Sequence, residues 1–195
     1  MAVGGRLAIF GAGGFGREVL RIARQSYGDV VFVDDQPLAP VLGAEVIMPA
    51  ALRDSDELVV TIGNSQARRS VTERFAHLPA GTIRAPSAII GDDVEIGAGA
   101  VFCDFTAVTG AARIGRGFQC NFYSYVAHDC VIGDFVTFGA RVSCNANVVI
   151  GDGAQLASGV LIQCGAPDRP VRIGAGAHIS AGTLITQDVP PNARI

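Results

Sequence analysis

The chain has 195 residues, 49% of them hydrophobic and 17% charged, with a formal charge of −3. This balance describes a chain that can bury at least one substantial core, and it excludes a disordered polypeptide. The acidic charge has no basic runs beside it, which argues against nucleic acid or an anionic membrane as the main partner. No apolar stretch reaches the roughly 18–20 uncharged residues of a membrane span. The N-terminus shows no signal-peptide pattern, since the apolar run 7–10 passes straight into glycines, so a cytoplasmic protein is expected. The five cysteines, Cys103, Cys120, Cys130, Cys144 and Cys164, have neither CxxC spacing nor a secretory context. They are expected to be small buried thiols and not zinc ligands or disulfides.

Residues 7–10 form a short apolar strand, followed by Gly11-Ala12-Gly13-Gly14-Phe15-Gly16. Val19, Leu20, Ile22 and Ala23 then recur at helical spacing. Residues 30–33 give a second strand ending in Asp34-Asp35, and residues 58–62 a third ending in Gly63-Asn64. Helical segments near 49–53 and over 66–76 fill the gaps. The order β-α-β-α-β predicts a half-Rossmann sheet domain over 1–84, with 81–87 as the connector to a second domain over 85–195.

From Ile90 the rhythm changes. Apolar or small residues fall at every sixth position: Ile90, Ile96, Phe102, Val108, Ile114, Cys120, Val126, Ile132, Phe138, Cys144, Ile150, Leu156 and Ile162. The next residue is often glycine, as at Gly97, Gly115, Gly133 and Gly151, and it is expected to turn a corner with positive φ. The frame slips by five residues across 165–170 and resumes at Ile173, Ile179 and Ile185. A six-residue period is the signature of a parallel β-helix in which each unit makes one flat side. With three units per turn, residues 18 apart stack about 4.8 Å from each other. The slip around Pro167-Asp168-Arg169-Pro170 is then a loop thrown out from a corner. Cys120 and Cys144 point inward but differ by 24, which puts them on different sides of the coil.

The hexapeptides resemble those of the left-handed β-helix acyltransferases. Combined with the βαβ domain, its Gly-Ala-Gly-Gly-Phe-Gly turn and the stretch Val126-Ala127-His128-Asp129-Cys130-Val131-Ile132-Gly133, the chain resembles the hexapeptide-repeat sugar-nucleotide acetyltransferases. These are the relatives of sialic-acid O-acetyltransferase and of the UDP-4-amino-sugar N-acetyltransferases. The resemblance covers nearly the whole chain. It implies a left-handed coil, a homotrimer with the active site between subunits, acetyl-CoA as co-substrate, no metal, a nucleotide-diphosphate sugar as acceptor and a role in cell-surface polysaccharide biosynthesis.

Acyl transfer from a thioester to an amine or hydroxyl needs a base, and a histidine, with an ordinary pKa of about 6.5, suits that task. His77 reads as a surface residue and His178 as a solvated corner residue. His128 has Gly110 and Ala146 as its stacking neighbours, so nothing bulky covers the ring. Asp129 follows and, as the family implies, holds the ring in one tautomer. A surface His–Asp pair would look the same in sequence. Ala146, where the family usually has glycine, is the candidate backbone donor to the oxyanion. The family's additional histidine, nine residues after the base, contacts the acetyl donor; here that position is Thr137. Ser158 and Ala181 occupy other coenzyme A positions.

The glycine-rich turn at a helix N-terminus would cradle phosphate. A sheet domain this small fits one mononucleotide half better than a full dinucleotide fold. The resemblance implies that Gly11, Gly13, Gly14 and Phe15 form the substrate loop, with Asp34 and Asp35 near the base or ribose and Gly63-Asn64 beside them. Phe15 departs from the family's frequent histidine. A tight strand-to-helix turn needs the same glycines without any ligand. Phe118, Phe122, Tyr123 and Tyr125 cluster just before His128 and are expected to pack against a neighbouring subunit, with stacking on substrate as the alternative; both hold if the active site lies between subunits. Two other readings compete with an acyltransferase: a metalloenzyme of the carbonic anhydrase kind, which needs about three histidines on neighbouring coils, and a non-catalytic nucleotide-binding β-helix scaffold.

Overall fold

The computed structural model describes residues 3–36 and 39–195. The first part is a four-stranded, all-parallel sheet with strands β1 (Val3–Phe10), β2 (Tyr27–Val33), β3 (Val46–Ile47) and β4 (Glu57–Val60), in the order β3-β2-β1-β4. Alternation along β1 gives the sheet two buried faces. Leu7 and Ile9 pack with Val19, Leu20 and Ile22 of helix α1 (Gly14–Ser26), and that core runs on into the β-helix. Ala8 and Phe10 join Leu58, Val60 and Leu78, with Val71 and Phe75 from α2 (Ser65–Arg74) and its end packed against them. The segment read as helical near 49–53 is a single 3₁₀ turn, Pro49–Ala51, after which Leu52 is extended. One turn nucleates without the length a helix needs to propagate. The edge strand β3 is the element that the sequence did not suggest.

The rest of the chain is a left-handed parallel β-helix. Its first side consists of Ile83–Arg84, Val101–Phe102, Gln119–Cys120, Thr137–Phe138, Gln155–Leu156 and His178–Ile179. The second runs through Ile89–Ile90, Ala107–Val108, Tyr125–Val126, Ser143–Cys144, Leu161–Ile162 and Leu184–Ile185. The third runs through Glu95–Ile96, Arg113–Ile114, Val131–Ile132, Val148–Ile150 and Val171–Ile173. Ile83–Arg84, within the stretch read as a connector, already pairs with Val101–Phe102. Partners are 18 residues apart, as in Ile114↔Ile132, and become 23 apart after the loop, as in Ile150↔Ile173, so the slip adds five residues and leaves the register intact. The inward residues from Phe102 to Ile162 are at most 4% exposed, while Ile96 in the first turn is 37% exposed because no coil covers it.

The corners depart from expectation. The left-handed residue comes three places after the inward one, at Gly99, Phe105, Ala111, Gly117, Tyr123, Asp129, Phe135, Arg141, Asn147, Gly153 and Gly159. The glycines directly after the inward residue do not have positive φ. They allow close stacking instead: a Cβ on Gly115 would lie 2.5–2.6 Å from the backbone of Gly133 and Asp134, and one on Gly97 only 2.4 Å from the Arg116 nitrogen.

Candidate active site

His128 and Asp129 sit at the corner between the second and third sides. Asp129 has φ 57°, the left-handed turn that puts its carboxylate beside the preceding ring. His128 Nδ1 lies 2.7 Å from Asp129 Oδ2. With its proton on Nδ1 the imidazole donates to the carboxylate, and Nε2 keeps a free lone pair. Both side chains are more than half exposed. The Asp129 N–H donates to the Gly110 carbonyl at 3.2 Å and the Asn147 N–H to the His128 carbonyl at 3.3 Å, so the predicted stack 110–128–146 is the one observed. The Ala146 carbonyl accepts from Gly165 at 2.9 Å, but among the described residues its N–H has no partner. At the corner between the third and first sides, the N–H groups at the same place in the hexapeptide, those of Arg116 and Asp134, donate to carboxylates of the next coil at 3.0 and 2.9 Å.

The loop 165–170 leaves the coil at this same corner, beyond Ala146. Cys164 beside it is exposed, contrary to the expectation of buried thiols, because the corner there opens into the loop. The other four cysteines are buried and all five are free. Stacking by 18 did not foresee that Cys130 Sγ and Cys144 Sγ lie 4.0 Å apart, since a corner residue and an inward residue of adjacent coils meet inside the prism. The hydrogen bond with Cys130, and then burial, push the Cys144 thiol well up.

The aromatic cluster divides. Phe118 is fully buried and stacks edge-on between Phe102 and Phe138, so it belongs to the coil's own core and not to a neighbour. Its place four residues after inward Ile114 turns it in. Tyr123 is 55% exposed at a left-handed corner, with its ring stacked on exposed Phe105. Tyr125 donates its hydroxyl to Asn145 Oδ1.

In the sheet domain the expected ligand loops meet at the carboxyl ends of β1, β2 and β4, the usual ligand edge of an open parallel sheet. The Gly11 N–H donates to the Val33 carbonyl at 2.9 Å, and Thr61 Oγ1 donates to the Gly11 carbonyl at 3.0 Å. Gly11 turns at φ +107°, and a Cβ on Gly16 would fall 2.0 Å from the Gly11 carbonyl oxygen, so the turn can close only with these glycines. Space around Gly13 and Gly14 is open. The N-terminus of α1 has no side-chain cap, leaving its first amides for an anion. Asp34 Oδ1 accepts from the Gln36 N–H at 3.0 Å, while Asp35 is paired with Arg74 at 3.1 Å. Asn64 caps α2 through its Oδ1, which accepts from the Ala67 N–H at 2.9 Å.

A groove of about 530 Å³ runs along the first side of the coil and meets the sheet domain at Gly63, with Thr137, Ser158, His178 and Arg194 among its lining residues. Thr137 Oγ1 reaches the Gly63 carbonyl at 3.3 Å. His178 stands on the flat first side, half-buried, and not at a corner, because it pairs with Gln155 directly below it. Ala181 follows Ser158 by one coil on the corner between the first and second sides. That corner is a whole side away from His128. One chain therefore brings Thr137 and Ser158 together with Gly63, but keeps them apart from His128, Asp129 and Ala146.

Sequence reading missed the polar column of the first side. Gln119, Thr137 and Gln155, each 18 residues apart, reach successive residues of the sheet domain: Val60 and Ile62, then Gly63, then Ser65. The 18-residue step could have found it. Among the described residues no cluster of three or more histidines, cysteines or carboxylates could hold a metal ion.

A parallel sheet domain joined to a left-handed β-helix, with a histidine exposed at one corner of the coil, is the architecture of an acyltransferase of the hexapeptide class. Residues 6–75 match the PglD N-terminal domain, and residues 130–164 match the hexapeptide repeat of succinyl-transferase. The chain is 40% identical over 196 residues to the GDP-perosamine N-acetyltransferase of Escherichia coli O157:H7, covering 93% of this chain and 89% of that protein. WeeI from Acinetobacter baumannii AYE superposes with a TM-score of 0.91 at 35% identity, over 96% of this chain and 94% of that one. PerB from Caulobacter crescentus, solved in complex with CoA and GDP-perosamine, gives 0.88 at 27% identity over 99% and 94%. The chain belongs to the hexapeptide-repeat sugar-nucleotide acetyltransferase family and is an acyltransferase.

Proposed function

We propose that this enzyme transfers the acetyl group of acetyl-CoA directly to an amino group of a nucleotide-diphosphate sugar, with His128 as general base. The observation that carries the reading is the His128–Asp129 pair at 2.7 Å, exposed at a corner where the neighbouring coils supply only Gly110 and Ala146. His128 Nε2 takes the proton as the amine attacks the thioester carbonyl. The Ala146 N–H stabilises the oxyanion, the carbon–sulfur bond breaks, and the leaving sulfur takes the proton back from His128, so that coenzyme A leaves as the thiol. Asp129 holds the ring's tautomer and steadies the imidazolium. The relatives' GDP-perosamine favours a 4-amino sugar carried on GDP over a hydroxyl acceptor. Gly11, Gly13, Gly14 and Phe15 would hold the diphosphate, Asp34 and Asp35 the nucleoside, and Gly63-Asn64 the sugar, with Thr137, Ser158 and Ala181 along the donor. We place this activity in the cytoplasm, with acetyl-CoA drawn from the cytoplasmic pool.

A whole side of the prism separates His128 from Ser158 within one chain, which favours a site shared between copies, in a homotrimer. His128→Ala should cost roughly 10²–10⁴ in rate, followed as free thiol released from acetyl-CoA with a GDP-4-amino sugar. Mixing His128→Ala with Ser158→Trp subunits should restore part of the activity, since one interface then holds both intact halves. Unchanged turnover in His128→Ala would sink the catalytic reading and leave the scaffold.

A further inference from the structure

Arg68 is 1% exposed on helix α2 and lies where the sheet domain meets the first side of the coil. No carboxylate among the described residues pairs with it. Its Nε donates to the Gly117 carbonyl at 3.0 Å. One terminal nitrogen donates to the carbonyls of Ile62 and Gly63 at 2.7 and 3.1 Å. The other donates to the Phe135 carbonyl at 2.7 Å and to Thr137 Oγ1 at 2.8 Å. Burial without a counter-charge lowers its pKa to about 10, so it stays a cation at neutral pH.

A buried cation without an anion is costly, and a simple interdomain contact would be served as well by apolar side chains. The planar fork does something that apolar packing cannot: it fixes backbone groups of two domains at set distances and directions. The groups it fixes are the loop after β4 and the coil residue next to the donor groove. The polar column grips the same loop, with Gln119 Nε2 donating to the carbonyls of Val60 at 3.1 Å and Ile62 at 3.3 Å. Thr137, which lines the groove beside Gly63 and Ser158, is engaged by this fork.

We propose that Arg68 is a positioning residue that locks the Gly63-Asn64 loop to Thr137, setting the distance between the sugar's nucleophile and the acetyl donor. This rests on the acetyltransferase reading above. Misplacing reacting groups by about 1 Å can cost roughly 100-fold. Arg68→Met should therefore lower kcat roughly 10- to 100-fold with a GDP-4-amino sugar while KM for acetyl-CoA stays within about twofold. Arg68→Lys, which keeps the charge but loses the fork, should fall between wild type and Arg68→Met. Amide hydrogen exchange at 62–65 should rise in both variants while β1 and β2 stay protected. If Arg68→Met does not fold, Gln119→Leu loosens the same loop and should show the same split on a smaller scale. A lower Tm with unchanged kcat, or exchange that rises evenly over the whole domain, would overturn the proposal. If wild type acetylates no nucleotide sugar, the parent reading fails. Local exchange at 62–65 then decides separately whether Arg68 holds the loop.

Discussion

In the β-helix the surroundings of a residue follow from its place in a six-residue unit, and its neighbours lie 18 residues away: Ile114 meets Ile96 and Ile132. In the sheet domain Leu7 meets Val30 on one side and Glu57 on the other, and no fixed step connects the three. The coil repeats one local solution, so its core, corners and stacking are set many times over. The sheet domain solves each contact once. Any change that acts through the repeat should therefore be felt more strongly in the coil than its counterpart in the sheet domain.

The largest difference should come from the core. Phe138 is fully buried, and its ring centroid lies 5.1 Å from that of Phe118. Phe138→Ala should cost about 3–5 kcal/mol by urea unfolding. Phe75→Ala in the sheet domain, where the ring is only partly buried, should cost clearly less. Equal losses would break the contrast.

Glycine substitution sharpens it. Gly115→Ala drives a methyl against the backbone of the next coil and should cost about 1–3 kcal/mol. Gly28→Ala, in a strand with nothing within 4 Å of the new Cβ, should change stability by less than about 1 kcal/mol in either direction. Thermal melts of the two variants side by side test this.

The smallest effects are electrostatic and belong to the sheet domain. Tyr27 donates its hydroxyl to Glu57 at 2.7 Å, and burial, then this bond, raise its pKa to about 12 from 10.0. The native state thus holds a proton that the unfolded chain has lost above pH 10, so this contribution is full below pH 10 and disappears as pH rises towards 12. Tyr27→Phe should cost about 0.5–1.5 kcal/mol at neutral pH and remove that alkaline loss. Asp56 behaves in the opposite direction. Burial pushes its carboxyl up, but the Arg6 guanidinium at 2.6 Å and the Arg53 N–H at 2.8 Å outweigh it, and the pKa falls below 3.8. Its stabilisation is present above that value and is lost as pH falls through the lower, folded value. Asp56→Ala should flatten the acid limb of a stability–pH curve.

Much of the site was legible for the same reason as the coil. A step of 18 placed Gly110 and Ala146 around His128, and the structure keeps both there. Adjacency in sequence was enough for Asp129, because a left-handed corner leaves the two side chains on one edge. Arg68 was not legible. An arginine on a short helix looks like a solvated charge until the helix is docked, and its acceptors lie between 5 and 69 residues away, most of them backbone carbonyls. Phe118 was misjudged for a related reason: lying beside exposed Tyr123 in sequence says nothing about which way a residue four past the inward position turns.

By itself the sequence determined the coil, the five-residue slip, the strand-to-helix glycine turn and the isolation of His128, since each depends on spacing along the chain. The tertiary structure decided which glycines serve stacking and which turn corners, because backbone clearance of about 2.5 Å appears only when coils are superposed. It also decided that Cys130 meets Cys144, that the β4 loop is gripped by Gln119, Thr137, Gln155 and Arg68, and that His128 stands a full side away from the groove at Thr137 and Ser158. These are relations across the prism and between the domains, and they depend on how separate elements dock rather than on any repeat within them.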